Sequence, residues 1–389
     1  MLESAPGGGA PDAPETFPGL SDMHAHPAVN SFLWGRDLRK HYWTGGRFDP
    51  LASLTDFKML RRGGVKVLWS SVYVPEKPYL AVPPIHLLAL ILPSGRKLLK
   101  HSSWECLLMM MDNMERQVGR VDDFEIVRSN QELDAARAAD KTAIVHTVEG
   151  GHTLDNGLAD DDVDGRLERL GVLAERGVAS ITIAHHYPNQ LAGHAIGIPK
   201  EQLKLLFWRL PIEVDPERGL TPIGAAVIER MIELRIVPDV AHCTTKARRD
   251  IYELVADRIP IVATHVGVQS MNSAPYNLDR IDAEAIASSG GVAGVIFMPY
   301  WLEETDPGDG REAIWRTMET LHDWTGSWRH VGLGTDFDGF TNPADDWDSS
   351  AKLPAVREML GEKGLAEDDT KALLGGNARR VLRDGWRWD

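Results

Sequence analysis

Eight short runs rich in apolar and β-branched residues recur along the chain, at 20–26 (LSDMHAH), 65–74, 142–151, 179–186, 236–243, 259–266, 290–299 and 330–339. Runs of this length and composition read as buried strands. Several of the segments between them carry apolar residues at helical spacing. Residues 165–177 form one such stripe and stop at Gly177. Residues 220–236 begin with Thr221 placed as an N-cap and Pro222 as the first helical residue, and 310–324 repeat the helical pattern. Strands alternating with helices predict a parallel sheet, most economically an α/β protein of the (β/α)8 TIM-barrel class. A doubly wound open sheet is the second choice, weakened because no glycine-rich dinucleotide loop follows the first run.

Two further stretches qualify this picture. Residues 104–121 (WECLLMMMDNMERQVGRV) are methionine-rich, which reads as core packing rather than a cofactor site. Residues 79–95 (YLAVPPIHLLALILPSG) are the most apolar run, but three prolines and His86 leave it too short and broken to cross a bilayer. It reads as a loop or short helix that covers part of the fold, with a subunit contact as the alternative. Residues 1–18, rich in Gly and Pro, read as a flexible leader, and 19–389 as a single barrel domain. With 43% hydrophobic and 25% charged residues the chain has the composition of a soluble globular protein. A net charge of −15 without a basic stripe speaks against nucleic-acid binding. Two cysteines, Cys106 and Cys243, and no apolar signal segment fit a reducing, cytoplasmic setting without a membrane partner. The sequence leaves the assembly open, a homodimer included.

The chemistry appears where the strands end, the side on which barrel enzymes build their sites. Side chains two apart share one face of a strand, so Asp22, His24 and His26 point the same way. Glu149 closes the third run, His185 the fourth, His242 the fifth, His265 the sixth and Asp336 the eighth. Any one of these reads equally well as a hydrogen-bonded core or loop residue. Seven at one rim read as a metal-dependent hydrolase. Neutral imidazoles and carboxylates suit two divalent ions, zinc or a related metal. His24, His26 and Glu149 are assigned to one ion, and Glu149, His242 and His265 to the other, with Glu149 bridging. The ions activate a bridging water, Asp336 transfers its proton, and His185 stabilises the oxyanion. His146, of opposite parity to Glu149, is expected to face the helices. His152 is placed beside the site, and His186 is expected to point away from His185. Asp22 is read as orienting a ligand, and Asp338 as supporting the site or capping a loop.

The order of motifs resembles the membrane (renal) dipeptidase family, peptidase family M19 of the amidohydrolase superfamily. The matching pieces are DMHAHP, WSSVYVP, VEGGH, ITIAHH, GLTPIG, DVAHC, ATHVG, YNLDRI, GLGTDFDG and GGNARRV, spread over residues 20–382. The resemblance implies a barrel, a glutamate-bridged two-zinc site and hydrolysis of a dipeptide or related small amide. It supports His24, Glu149, His242 and His265 as ligands, Asp336 as the acid/base and His185 as the oxyanion partner. There are two departures. The family's first motif is His-x-Asp, whereas this chain has His24-Ala25-His26, which makes the site more positive by one charge. The family places a carboxylate-binding arginine before its Asn-Val-Pro stretch, whereas Tyr276 precedes Asn277 here. A phenol lacks the bidentate charged pairing of a guanidinium, so Arg280 is assigned as its replacement in binding substrate, with Tyr276 and His152 as further substrate-binding residues. Two alternatives stay open: an amidohydrolase-like enzyme acting on a lactone, ester or cyclic amide, and a catalytically silent binding protein on the same scaffold.

Overall fold

The eight apolar runs all form strands, and they are parallel. In a computed structural model that describes residues 19–42, 52–196, 213–303, 310–339, 343–344 and 347–389, they are β1 (Leu20–Ala25), β2 (Val65–Tyr73), β4 (Thr142–Glu149), β5 (Ser180–Thr182), β6 (Val237–Asp239), β7 (Val262–Val266), β8 (Val292–Val295) and β9 (Val331–Leu333). The leader expected over residues 1–18 lies outside the described residues. The hydrogen-bonded order is β1-β2-β4-β5-β6-β7-β8-β9. The ring closes just beyond β9: His26 N donates to Phe337 O (2.8 Å), Asp336 N donates to His24 O (2.8 Å), and Ala25 bridges Phe337 in parallel. That closure makes the sheet a (β/α)8 barrel and removes the open-sheet alternative.

The apolar pattern does not single out β3 (Phe124–Val127), which pairs with the first half of β4, from Thr142 to Val145, outside the ring. This strand follows Asp122 and Asp123 and carries a half-exposed Glu125, so no continuous apolar run marks it. β5 takes over along β4 only from Thr147 to Glu149.

The helices follow their local signals. Thr221 Oγ1 accepts from Gly224 N (2.9 Å) and starts the helix Pro222–Leu234, while Asp162 accepts from Gly165 N (2.9 Å) at the start of Val163–Glu175. Ser102 and Glu105 form a capping box ahead of the helix Ser103–Val118, which buries Met110, Met111 and Met114 as core. The 79–95 run departs from expectation. It forms helices Lys77–Leu80, Pro83–Ile91 and Pro93–Lys100, and within Pro83–Ile91 only Ala89 is buried. This run therefore covers little of the fold.

One close approach sets the geometry of the site. A Cβ at Gly334 would stand 1.6 Å from the Thr264 carbonyl oxygen, and one at Gly294 would stand 2.1 Å from it. Glycine at these two positions lets β8 and the segment after β9 press against β7 where Thr264 turns its side chain to the centre.

Candidate metal centre

The barrel brings His24, His26, Glu149, His185, His242, His265 and Asp336 together, each at most 6% exposed. They arrive by two routes. His24, Glu149 and His265 stand on β1, β4 and β7, where strand parity aims them. β5, β6 and β9 are shorter than their apolar runs, and His185, His242 and Asp336 each follow three residues after the strand ends. Backbone turns aim these three. His242 (φ 62°), Asp336 (φ 57°) and Asp338 (φ 64°) adopt the left-handed conformation that costs a non-glycine residue about 1–3 kcal/mol.

Glu149 is the hub. Its Oε1 lies 3.3 Å from Nε2 of His24, His242 and His265, and its Oε2 lies 3.4 Å from His26 Nε2 and 3.9 Å from His185 Nε2. Asp336 Oδ1 is 3.1 Å from His26 Nε2. The imidazoles also face one another, with His24 Nε2 3.2 Å from His26 Nε2 and His242 Nε2 3.0 Å from His265 Nε2.

The outer nitrogens explain this inward convergence. His26 Nδ1 lies 3.1 Å from the Ser71 carbonyl, which only accepts, so Nδ1 carries the proton. Thr264 Oγ1 donates its hydrogen to Asp239 Oδ2 (2.6 Å) and therefore accepts from His24 Nδ1 (2.9 Å) and His265 Nδ1 (3.0 Å). Asp239 is itself fixed by Thr182 Oγ1 (2.7 Å) and the Ala241 and Thr264 amides (3.0 and 3.1 Å). Three imidazoles are thus held with Nε2 lone pairs aimed at one another and at two carboxylates. Lone pairs repel at these distances unless a cation lies among them, so the donor set fits divalent metal. His24, Glu149 and His265 form one close donor group, and His24, His26 and Asp336 a second.

Charge follows the same geometry. Burial pushes the Glu149 carboxyl up, but His24, His185 and the hydrogen bonds from His24 and His242 outweigh it and hold it well below the ordinary carboxylate range. Burial pushes Asp336 up to about 7, although His265 and His24 oppose it. Burial also lowers His26 and His242 and so favours their neutral, ligating forms.

Glu76 is a functional candidate that the sequence pattern does not reveal. It stands just past β2, is 3% exposed, lies 2.8 Å from His185 Nδ1 through Oε1, and accepts from the Tyr73 hydroxyl (2.5 Å) through Oε2. Burial opposes its ionisation, but His185 and His152 hold it well below the ordinary carboxylate range. In turn Glu76 and Glu149 overcome burial and raise His185. The only sequence signal for Glu76 was an acid directly after a strand at the catalytic rim.

The structure changes some of the remaining expectations and matches those for Asp338 and His146. Tyr276 is buried against the His242 ring (centroids 4.8 Å), and its hydroxyl donates to the His265 carbonyl, so it supports the centre and presents no free hydroxyl to a ligand. Arg280 is exposed at the start of the helix Arg280–Ser288 and donates to Glu284 (2.7 Å), so the barrel does not bring it to the centre. His152 is half-buried beside Tyr73, with Nε2 donating to the Val74 carbonyl (2.8 Å). His186 does not point away. Because β5 ends at Thr182, its ring stacks on His185 (4.0 Å) and approaches His242 (5.0 Å). Asp22 orients backbone rather than an imidazole, accepting from His24 N (3.1 Å) and from Thr335 N (3.0 Å) and Oγ1 (2.6 Å) across the closing seam. Asp338 ties down a loop through Leu54 N (2.8 Å), Thr55 Oγ1 and Asn30 Nδ2 (2.8 Å). His146 faces the helix Ser103–Val118, 3.9 Å from Glu115.

The model of the membrane dipeptidase family, peptidase family M19, matches residues 36–385. The chain belongs to this family. Membership makes it a metal-dependent hydrolase of the dipeptidase type. Among curated relatives, an uncharacterised protein of the pqqA 5′ region in Klebsiella pneumoniae is 28% identical over 73% of this chain and 96% of its own length. The dipeptidase tcpJ of Claviceps purpurea is 23% identical over 90% of this chain and 75% of its own. A metallopeptidase from Rhodobacter sphaeroides, crystallised with a phosphinate mimic of the dipeptide L-Ala-D-Ala, is similar in fold, with a TM-score of 0.70 at 21% identity over 94% of this chain and 99% of that one.

Proposed function

We propose that this family member is a two-metal dipeptidase that hydrolyses a dipeptide or similarly small amide. The observation that carries the reading is the locked convergence of imidazole Nε2 atoms on Glu149. His24, His26 and Glu149 would hold one ion and Glu149, His242 and His265 the other, with zinc suited to this donor set. When bound, such ions supply Lewis acidity and make a water nucleophilic near neutral pH. The chain's own residues do the rest. Asp336, pushed up to about 7 by burial, takes a proton from the attacking water and returns it to the leaving amine nitrogen as the amide C–N bond breaks. Glu76 fixes the ring of His185, whose Nε2 stabilises the oxygen on which negative charge develops. A dipeptide fits the family and the dipeptide mimic bound by the Rhodobacter relative.

A second reading has a specific observation behind it. Tyr276 has its hydroxyl occupied and Arg280 is paired with Glu284 at the surface, so neither supplies the cation that would grip a free carboxylate. This favours a substrate without that group, such as a cyclic amide, ester or lactone. Zinc-loaded protein should be tested on a dipeptide panel with free and amidated C-termini, with metal content measured in parallel. Cleavage of free-acid dipeptides with two metal equivalents is the expected result. Hydrolysis confined to amidated, ester or lactone substrates would transfer the assignment to the second reading.

A further inference from the structure

The segment between Glu76 and Glu105 departs from the rest of the surface in two ways at once. Residues 77–104 contain no Asp or Glu, in a chain with 57 acidic residues, yet hold Lys77, Arg96, Lys97 and Lys100. They also carry an inverted helix. On Pro83–Ile91 the buried position is Ala89, while Pro83, Pro84, Leu87, Leu88, Leu90 and Ile91 are exposed together with His86, whose Nδ1 lies 3.0 Å from the Leu80 carbonyl. Leu87 is 60% exposed and Ile91 65%. A surface helix ordinarily turns its apolar stripe inward. The next helix, Pro93–Lys100, buries Gly95 and Leu98 and exposes Arg96, Lys97 and Lys100. The two helices are in backbone contact, since a Cβ at Gly95 would lie 2.5 Å from Ala89 Cα. An aliphatic face is therefore held beside a cationic one. Among the described residues Arg96, Lys97 and Lys100 enter no ion pair.

We propose that this hairpin, residues 83–100, docks the protein on an anionic lipid surface. The apolar arc would enter the headgroup–acyl boundary, and Arg96, Lys97 and Lys100 would meet lipid phosphates, the arrangement by which helices lie on a membrane without crossing it. No helix among the described residues is long and apolar enough to cross one. Charge selects the occupant. In a two-fold contact the same patch serves both copies, so the cations of one find no acidic partner within residues 77–104 of the other, and the exposed arc lacks the Trp, Tyr and Arg anchors that dominate protein interfaces. The chain's overall charge of −15 opposes anionic lipid at long range, but salt screens that repulsion over about 8 Å, leaving the local patch to decide. The surface hangs from the catalytic rim: it follows Glu76 directly, and Tyr79 OH lies 2.8 Å from His186 Nδ1.

The test is co-sedimentation of the full chain with vesicles of mixed phosphatidylglycerol and phosphatidylcholine, against pure phosphatidylcholine. Binding to the mixed vesicles alone is expected. The double variant Arg96→Glu/Lys100→Glu should lower the partition coefficient by at least about thirtyfold. The triple variant Leu87→Ser/Leu90→Ser/Ile91→Ser should abolish binding. Both variants should keep the wild-type circular dichroism and unfolding midpoint, which separates lost docking from lost folding. Failure of the wild-type chain to bind mixed vesicles, or equal binding by the folded variants, overturns the proposal. Self-association without lipid that the triple variant removes would also overturn it and make a second copy the occupant.

Discussion

The metal centre and the hairpin over residues 83–100 break the same rule in opposite directions. At the centre, seven ionisable side chains are buried inside a barrel. On the hairpin, Leu87, Leu88, Leu90 and Ile91 are exposed outside it. In the first, the outer nitrogens of His24, His26 and His265 are satisfied by Thr264 and the Ser71 carbonyl, yet their inner nitrogens face each other as lone pairs. In the second, the helices pack on each other through Ala89 and Gly95, yet Leu87, Leu88, Leu90 and Ile91 stay exposed beside them. Each region is internally well built and lacks one complementary surface. Where local order is good and one partner is missing, the missing partner is most simply a ligand, a cation in one case and an external surface in the other.

The largest expected effect comes from changing one charge at the centre without changing shape. Asp336→Asn should retain metal while turnover falls by about 10²–10⁴-fold, because an amide cannot accept the proton. Metal analysis and steady-state rates on the same preparation check this. Turnover within a fewfold of wild type would remove Asp336 from proton transfer and leave the buried cluster a binding site only.

His146 offers a contrasting buried polar group on the same strand as Glu149. It is fully buried, and neither ring nitrogen has a hydrogen-bond partner. Burial lowers it from 6.5 to about 4, with Glu115 opposing. As pH falls, the unfolded chain takes the proton first. The stability that neutral His146 preserves is whole above pH 6.5 and is lost between there and about pH 4, amounting to about 3 kcal/mol. His146→Leu should remove that part of the pH dependence. Urea titrations of both proteins across the window check it, and identical slopes would show that His146 finds a proton partner in solution.

Thr264→Val tests the outer shell of the centre. The change keeps volume but removes the acceptor for two imidazole N–H groups and the donor to Asp239. Metal affinity should fall by about 10–100-fold, as read by competition with a chelator. Unchanged affinity would mean that burial alone orients His24 and His265.

The barrel was legible because its strands are buried on both faces and therefore read as continuous apolar runs, whereas β3, a four-residue strand outside the ring, left no comparable run. Parity placed His24, Glu149 and His265 correctly on one face of their strands. It failed at His186, because β5 stops at Thr182 and a turn, which has no period of two, decides where the next residues point. Glu76, Thr264 and Asp239 were not recognised as site residues because their roles are contacts between strands far apart in sequence. Arg280 was assigned by distance along the chain, but a helix start turned it to solvent. The apolar run at 79–95 was recognised, but not which way it faces. Helical spacing alone cannot say which side of an almost wholly apolar helix meets the protein.

That last ambiguity gives the smallest predicted effect. Leu87, Leu90 and Ile91 keep 60%, 48% and 65% of their surface exposed in the folded chain, so replacing them with serine removes only partial burial. Each substitution should change unfolding free energy by no more than about 0.5 kcal/mol. Chemical denaturation of the single and triple variants measures this directly. A buried leucine cut back in a packed core would cost about 2–5 kcal/mol instead. A loss of that size at any of the three sites would mean that the helix packs its aliphatic arc against its own chain in solution. The hairpin would then be ordinary core, and its contrast with the metal centre would disappear. Near-neutral values would leave an apolar face that contributes nothing to folding, and so one whose free-energy gain is available to a partner outside the chain.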